Sequence, residues 1–132
     1  MKNLFNVMLI ALVVLSFSSC KDDIKSCVED SVGTYTGTQD CVGLGSSAIT
    51  YSISESSDGD DRILFNIDGD IYKATVNEDC NYTFDSTVVI DDYNNAITVT
   101  GSGSFDEGEM NGTIVLTTGT IGISCSQDAT KQ

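Results

Sequence analysis

The sequence predicts an all-β domain, an antiparallel meander of about eight strands that closes as a small barrel. Three observations support this prediction. Apolar residues alternate with polar ones from residue 32 onward, turn sequences separate the alternating runs, and no stretch after residue 20 has the pattern of an amphipathic helix. Short connections favour antiparallel neighbours, because parallel pairing requires long crossovers. A two-layer β-sandwich is the alternative architecture for the same strands.

Eight stretches have the alternation or the composition of strands. The alternation is clearest over 49–54, 62–68 and 71–77, where Ile, Tyr, Phe, Ala or Val takes every second position. The other candidates, in chain order, are 32–39, 82–90 with a break near Asp85, 96–102, 111–118 and 121–126. Asp68-Gly69 stands between two alternating runs, which predicts a two-residue hairpin turn.

The first twenty residues have the pattern of a bacterial lipoprotein signal. Lys2 supplies the positive charge, and the apolar stretch over 4–15 is too short to span a membrane. Ser18-Ser19-Cys20 resembles the lipobox, in which the cysteine receives a diacylglycerol and becomes the first residue of the mature protein. The sequence therefore divides into a signal peptide (1–19), a lipidated tether (20–31) and the β-barrel domain (32–132).

A short charged segment follows the candidate lipidation site. Lys21, Asp22 and Asp23 resemble the lysine-plus-two-acids signal that comes directly after the lipidated cysteine in surface lipoproteins of the Bacteroidota. The resemblance implies an outer-membrane lipoprotein that is exposed at the cell surface. The alternative is that these three residues only make the tether soluble.

The remaining cysteines predict two disulfides. Cys20 is assigned to the lipid, so four cysteines are left, an even number in a compartment where disulfides persist. Four cysteines allow three connectivities. In a closed meander the first and last strands are neighbours, which brings Cys41 to Cys125. We therefore predict the pairs Cys41–Cys125 and Cys27–Cys80.

Composition excludes several classes of function. The formal net charge is −14, so nucleic acid is excluded as a partner, and the domain contacts a membrane only through its lipid. The chain has no His, which argues against hydrolytic triads and zinc sites. We expect no catalytic residues, no cofactor and no metal.

The acidic turns are the part of the sequence that could suggest a calcium site. Counted from Asp58, the loop has Arg62 at the fifth position and Ile63 at the sixth, where an EF-hand requires glycine. Solvated hairpin tips explain the same acidic residues, so the prediction of no metal stands.

The chain resembles the small lipocalin-like lipoproteins of the Bacteroidota. The resemblance is carried by the Gly- and Thr-rich segment 32–38 followed by Cys41, by the segment 97–105, and by Cys125 with Lys131 near the end. It implies a closed lipocalin-like meander barrel of unknown ligand. The chain has no Trp, so the Gly-x-Trp signature of true lipocalins is missing.

Two further groups of residues are candidates for function. The large aromatic side chains either fill the core or line a pocket at an open barrel mouth; they are Tyr35, Tyr51, Phe65, Tyr72, Tyr82, Phe84, Tyr93 and Phe105. Ser31 and Ser86 each follow an Asp and precede a small residue, which resembles the O-glycosylation motif of the Bacteroidota.

These observations together predict a lipid-anchored binding or accessory module rather than an enzyme. Its partner would be a small apolar ligand or a protein. The alternative function is an inhibitor of a basic host or competitor enzyme such as lysozyme, because an acidic barrel attracts a basic target.

Overall fold

The computed structural model describes residues 19–132, with side chains from residue 23 onward. The signal peptide predicted over 1–19 therefore lies outside the described residues, apart from Ser19. One helix precedes nine strands: α1 (Ser19–Ser31), β1 (Gly33–Cys41), β2 (Gly45–Glu55), β3 (Arg62–Ile67), β4 (Asp70–Val76), β5 (Asn81–Phe84), β6 (Thr87–Ile90), β7 (Ala96–Asp106), β8 (Glu109–Thr118) and β9 (Ile121–Lys131). No helix among these residues is long and apolar enough to cross a lipid bilayer.

The strands form a closed antiparallel meander, which confirms the predicted fold class. Strands β1 to β5 pair in sequence, β1 also pairs with β9, and β9, β8 and β7 follow around the sheet. Pairing of β5 with β7 closes an eight-stranded barrel. The ninth strand arises because the predicted stretch 82–90 is interrupted at Asp85 and Ser86, so that its second half, β6, continues along the same edge of β7 as β5 but does not pair with β4.

The predicted two-residue hairpin joins β3 to β4. Ile67 pairs with Asp70, which leaves Asp68 and Gly69 as the turn. Both have positive φ, 54° and 96°, as a type I′ turn requires. Asp tolerates this left-handed conformation better than most residues and Gly adopts it freely, so the local sequence determines the turn.

Helix α1 contradicts the prediction that no helix follows residue 20. It occupies the stretch predicted to be a tether, and Cys27, Val28 and Ser31 on it are buried. Ile24 is half-buried. These four residues have the spacing i, i+3, i+4, i+7 of a single helix face, and that face packs against the barrel. The helix therefore covers the whole of the stretch predicted to be a tether.

The barrel has two ends, which we name by their contents. The helix end carries α1 and the turns β2–β3, β4–β5 and β7–β8; the distal end carries the turns β1–β2, β3–β4, β6–β7 and β8–β9. Disulfides join Cys27 to Cys80 at the helix end and Cys41 to Cys125 towards the distal end. These are the two pairs that the meander topology predicts.

Aromatic side chains fill the barrel interior. Phe65 lies at the centre, with ring centroids 4.7 Å from Phe84, 5.1 Å from Tyr82 and 6.3 Å from Phe105. Of the eight candidate aromatic residues, six are buried, Tyr72 is half-buried and Tyr93 is 87% exposed. The aromatic residues therefore build a core in the barrel, in agreement with the first of the two interpretations.

Candidate functional site

A half-open cleft of about 510 Å³ lies at the helix end. It is bounded by α1, the β7–β8 turn and the last residues of β9. Its walls combine the Cys27–Cys80 disulfide, two aromatic residues and several charged ones; the lining residues are Cys27, Asp30, Tyr35, Cys80, Phe105, Asp106, Glu107, Gly108 and Lys131.

Lys131 connects the three elements around the cleft. Its side-chain Nζ donates to the Asp30 carbonyl of α1 at 3.0 Å, and its backbone N–H donates to the Gly108 carbonyl of the β7–β8 turn at 2.7 Å. The Phe105 N–H donates to the Cys80 carbonyl at 3.0 Å, which fixes the aromatic wall against the disulfide. These backbone contacts and the disulfide hold the cleft in a defined shape.

Tyr35 is the most informative residue of the cleft. It is fully buried, yet its hydroxyl has no hydrogen-bond partner among the described residues. Burial, with a further contribution from the Asp30 carboxylate, raises the pKa of this hydroxyl, so the phenol stays neutral and can donate. A buried polar group without a partner is costly, and such groups are rare in native proteins.

Buried hydroxyls elsewhere in the barrel have different surroundings. The Tyr51 hydroxyl accepts a hydrogen bond from Gln127, whose Nε2 also donates to Gln39 Oε1 at 2.7 Å. The Tyr82 hydroxyl lacks a partner, as that of Tyr35 does, but it faces Gly103 and Gly112 in the barrel wall and not the cleft. Tyr35 is thus the tyrosine with an unpaired buried hydroxyl whose side chain also lines a ligand-sized space.

The cleft has mixed electrostatics. Asp30, Asp106 and Glu107 contribute negative charge, and Lys131 contributes one positive charge that is already engaged by a carbonyl. Phe105 lies against Tyr35, with ring centroids 5.9 Å apart, and gives the wall an apolar surface. The arrangement suits a small molecule with an apolar body, and the Tyr35 side chain brings an unsatisfied hydroxyl donor to the wall of the cleft.

The residues of the predicted anchor and export signal occupy the start of α1. Cys20, Lys21 and Asp22 lie in its first turns, but their side chains lie outside the described residues. Asp23 is exposed. Lipidation and export remain predictions from the sequence.

The two candidate glycosylation sites differ sharply in accessibility. Ser31 is fully buried, and its hydroxyl donates to the Val28 carbonyl at 2.7 Å. This placement argues against Ser31 as an acceptor in the folded protein, because the hydroxyl is neither exposed nor free. Ser86 lies exposed between β5 and β6 and stays a candidate.

The acidic turns serve hydrogen bonds and ion pairs. Asp58 Oδ2 lies 2.5 Å from Lys73 Nζ, and Asp85 pairs with Arg62. Over the described part of the chain, no three Asp, Glu, Cys or His side chains come together in an arrangement that could hold a metal ion.

Sequence inspection missed the cleft as a site. In the sequence Tyr35 is one aromatic residue among eight, Asp30 is the residue before the candidate glycosylation site Ser31, and Asp106 and Glu107 belong to an acidic, Gly-containing stretch. These residues meet only because the first and last strands pair, with Tyr35 directly opposite Lys131 in the register. No local pattern in the sequence indicates this meeting.

Fold and site together define a small closed β-barrel protein with a filled core and a ligand-sized cleft at one end. No protein-family model matches the chain, and no curated protein matches it significantly. Its fold is similar to the crystal structure of a protein provisionally named an outer membrane protein of Bacteroides fragilis, with a TM-score of 0.52 and 18% identity. The match covers 80% of this chain and 52% of the other, so this chain spans about half of that protein's length.

Proposed function

We propose that the protein is a lipid-anchored binding module of the outer membrane that holds a small ligand in the helix-end cleft. The observation that carries this proposal is Tyr35, whose side chain lines a cleft of about 510 Å³ and whose buried hydroxyl has no partner within the described residues, so that a ligand which reached this hydroxyl would satisfy it. The lipocalin-like mode, with a ligand inside the barrel, is not favoured because Phe65 and its neighbours occupy the interior.

The ligand chemistry follows from the walls of the cleft. Phe105 and the Tyr35 ring offer apolar contact, and the Tyr35 hydroxyl offers one hydrogen bond to an acceptor. Three carboxylates at the cleft disfavour an anion. We therefore propose a neutral or cationic small molecule with an apolar body and at least one acceptor atom.

The proposed location rests on the sequence of the first 23 residues. A lipid on Cys20 would anchor the protein, and Lys21, Asp22 and Asp23 would direct it to the cell surface. The structural neighbour's name, outer membrane protein, agrees with this location. Replacing all three residues by Ala should leave lipid attachment intact and trap the protein on the periplasmic side. Protease added to intact cells would then cut the parent and spare the variant, whereas equal cutting of both would reject the export signal.

The ligand proposal is tested by native mass spectrometry of the full chain purified from its own membranes. We expect a retained small molecule that Tyr35→Phe loses or binds about tenfold more weakly, since one hydrogen bond is removed. Tyr35→Phe should also stabilise the ligand-free protein by about 1 kcal/mol, because it removes a buried group without a partner.

Tyr82→Phe is the matched control for this test. It removes the other unpaired buried hydroxyl, so it should give a similar gain in stability while leaving ligand retention unchanged. A ligand that is retained equally by the parent and by Tyr35→Phe would place binding elsewhere. An empty protein from its native membranes would contradict the proposal.

Inhibition of a basic enzyme is a second candidate, favoured by the distribution of charge. Each basic side chain within residues 23–132 already contacts an acceptor of the chain: Lys25 with Glu29, Arg62 with Asp85, Lys73 with Asp58, and Lys131 with the Asp30 carbonyl. The remaining acidic groups give a negative surface that attracts a basic target. Salt-sensitive binding and inhibition of lysozyme by the ligand-free protein would support this function, and binding without inhibition would reject it.

A further inference from the structure

Strand β6 has a free edge. Every other strand of the described sheet pairs on two sides, whereas β6 pairs with β7 alone. The strand runs Thr87-Val88-Val89-Ile90 and carries no charge. Natural proteins usually protect such edges by keeping them short or with charged residues, proline or a covering segment, because an unpaired edge accepts a further strand; β6 is short but carries neither charge nor proline.

The backbone of β6 presents two residues outward. The Asp91 N–H donates to the Asn95 carbonyl at 3.0 Å, just beyond the β6–β7 ladder. Hydrogen-bonded and non-hydrogen-bonded pairs alternate along an antiparallel ladder. Val89 opposite Ile97 is therefore a hydrogen-bonded pair, and the N–H and C=O groups of Val88 and Ile90 point away from β7.

The same two residues expose apolar side chains. Val88 is 60% exposed and Ile90 is 58% exposed, and Tyr93 in the following turn is 87% exposed. Val89 is half-buried towards the core. An added strand would thus gain both backbone hydrogen bonds and apolar contacts along one face, which is the chemistry of β-strand addition.

Charge indicates which kind of strand fits this edge. Asp91 and Asp92 follow β6, whereas Asp85 before it is already paired with Arg62, and the sequence has no Lys or Arg between Lys73 and Lys131. A second copy of the chain would bring its own excess of negative charge to this edge, which disfavours self-pairing. A segment with Lys or Arg beside an apolar core would instead meet opposite charge at the Asp91-Asp92 end.

We propose that the β6 edge is a docking site for an extended segment of a partner protein, with alternating apolar residues flanked by basic ones. The segment adds as a strand beside β6 and buries Val88 and Ile90. This inference goes beyond the proposed function and does not involve the helix-end cleft.

The test uses the full chain in detergent and three fluorescent nine-residue peptides, with detergent alone as the blank. The probe is KKVTVTVKK, the charge control is EEVTVTVEE, and the backbone control KKVTPTVKK has a central proline. We expect KKVTVTVKK to bind by fluorescence anisotropy and to protect the Val88 and Ile90 amides from hydrogen exchange. The acidic peptide should bind more weakly because Asp91 and Asp92 repel it, and the proline peptide because it cannot complete a ladder.

Variants of the protein locate the site. Val88→Pro removes an outward N–H without breaking a bond to β7, so it should weaken binding about tenfold, as expected for one lost hydrogen bond. Ile90→Lys should weaken it further by removing apolar contact and adding repulsion. Leu44→Lys, which makes the same charge change at another exposed site of the distal end, should leave affinity within about twofold because its charge is screened. Tyr35→Phe should have no effect, which separates this site from the cleft.

Three results would overturn the inference. The first is no binding of KKVTVTVKK at concentrations up to about 1 mM. The second is equal binding of the proline peptide, or binding that Val88→Pro leaves unchanged. The third is a dimer of the protein in sedimentation that Ile90→Lys dissolves, since that would assign the edge to a second copy of the chain.

Discussion

The contact between Tyr82 and the glycines of β7 and β8 provides a quantitative test of the packing. Gly103 and Gly112 are opposite each other in the register, and the Tyr82 hydroxyl lies against both. A Cβ on Gly112 would overlap the Tyr82 hydroxyl and lie 3.0 Å from the Ser102 carbonyl oxygen. Gly112→Ala should therefore destabilise the protein by about 2 kcal/mol, within the range for an overpacked core.

Removing the hydroxyl should rescue that variant. Tyr82→Phe alone deletes a buried group without a partner and should stabilise by about 1 kcal/mol. In the double variant the nearest remaining ring atom, Cζ, lies 3.2 Å from the new Cβ, which small shifts can relieve. The double variant should then be close to the parent in stability, more stable than the sum of the single changes by about 1 kcal/mol.

The free energy of unfolding of each variant is measured by urea unfolding of residues 19–132 with both disulfides intact, so that all the values refer to the same cross-linked unfolded state. Tyr35→Phe combined with Gly112→Ala is the matched control. The Tyr35 hydroxyl is likewise buried without a partner, but Tyr35 lines the helix-end cleft and is not among the groups nearest to Gly112, so these two changes should be additive. If Tyr82→Phe and Gly112→Ala were also additive, the proposed steric contact would be refuted.

Three other predictions concern a disulfide, an ion pair and the anchor. Replacing Cys27 and Cys80 by Ala removes a cross-link with a sequence separation of 53. The chain-entropy model predicts that the free energy of unfolding falls by about 4 kcal/mol. A decrease of less than about 1 kcal/mol in urea unfolding would contradict this prediction. The hydrogen bond and charge of Lys73 hold the pKa of Asp58 below its usual range. This interaction therefore stabilises the folded protein at pH values above the pKa that Asp58 has in the unfolded chain. Its contribution disappears as the pH falls through the pKa of Asp58 in the folded protein. Lys73→Ala should raise the pKa of Asp58 in an NMR titration, and an unchanged value would exclude the pair in solution. Cys20→Ala should abolish fatty-acid labelling and leave an uncleaved precursor; a labelled variant would reject lipidation.

The barrel could be predicted because its signals are local. Alternation over β3 and β4 and the Asp68-Gly69 turn each depend on a few neighbouring residues, and together they specify a meander. Closure then follows, since a meander of this many strands has to satisfy its two edges. The interruption near Asp85 is visible in the sequence, but its consequence, a second strand on the same edge of β7 that does not pair with β4, depends on where β7 runs.

Helix α1 and the cleft could not be predicted with the same certainty. Ile24, Cys27, Val28 and Ser31 have helical spacing, but one stripe of four residues in a charged segment is a weak signal until the barrel supplies a surface for it. The cleft depends on the pairing of β1 with β9, which brings residues almost a hundred positions apart into contact.

The disulfide between Cys27 and Cys80 reduces the distance over which the barrel can move away from its anchor. A flexible tether of twelve residues would let the barrel range about 40 Å from its anchor. The helix between Cys20 and Cys27 instead rises about 10 Å, and its far end is fixed to the barrel. With a lipid on Cys20, the barrel would stand close to the membrane with a limited range of tilts. Ligands would then have to enter the cleft sideways along the lipid surface, while the β6 edge near the distal end stays open to partners from outside.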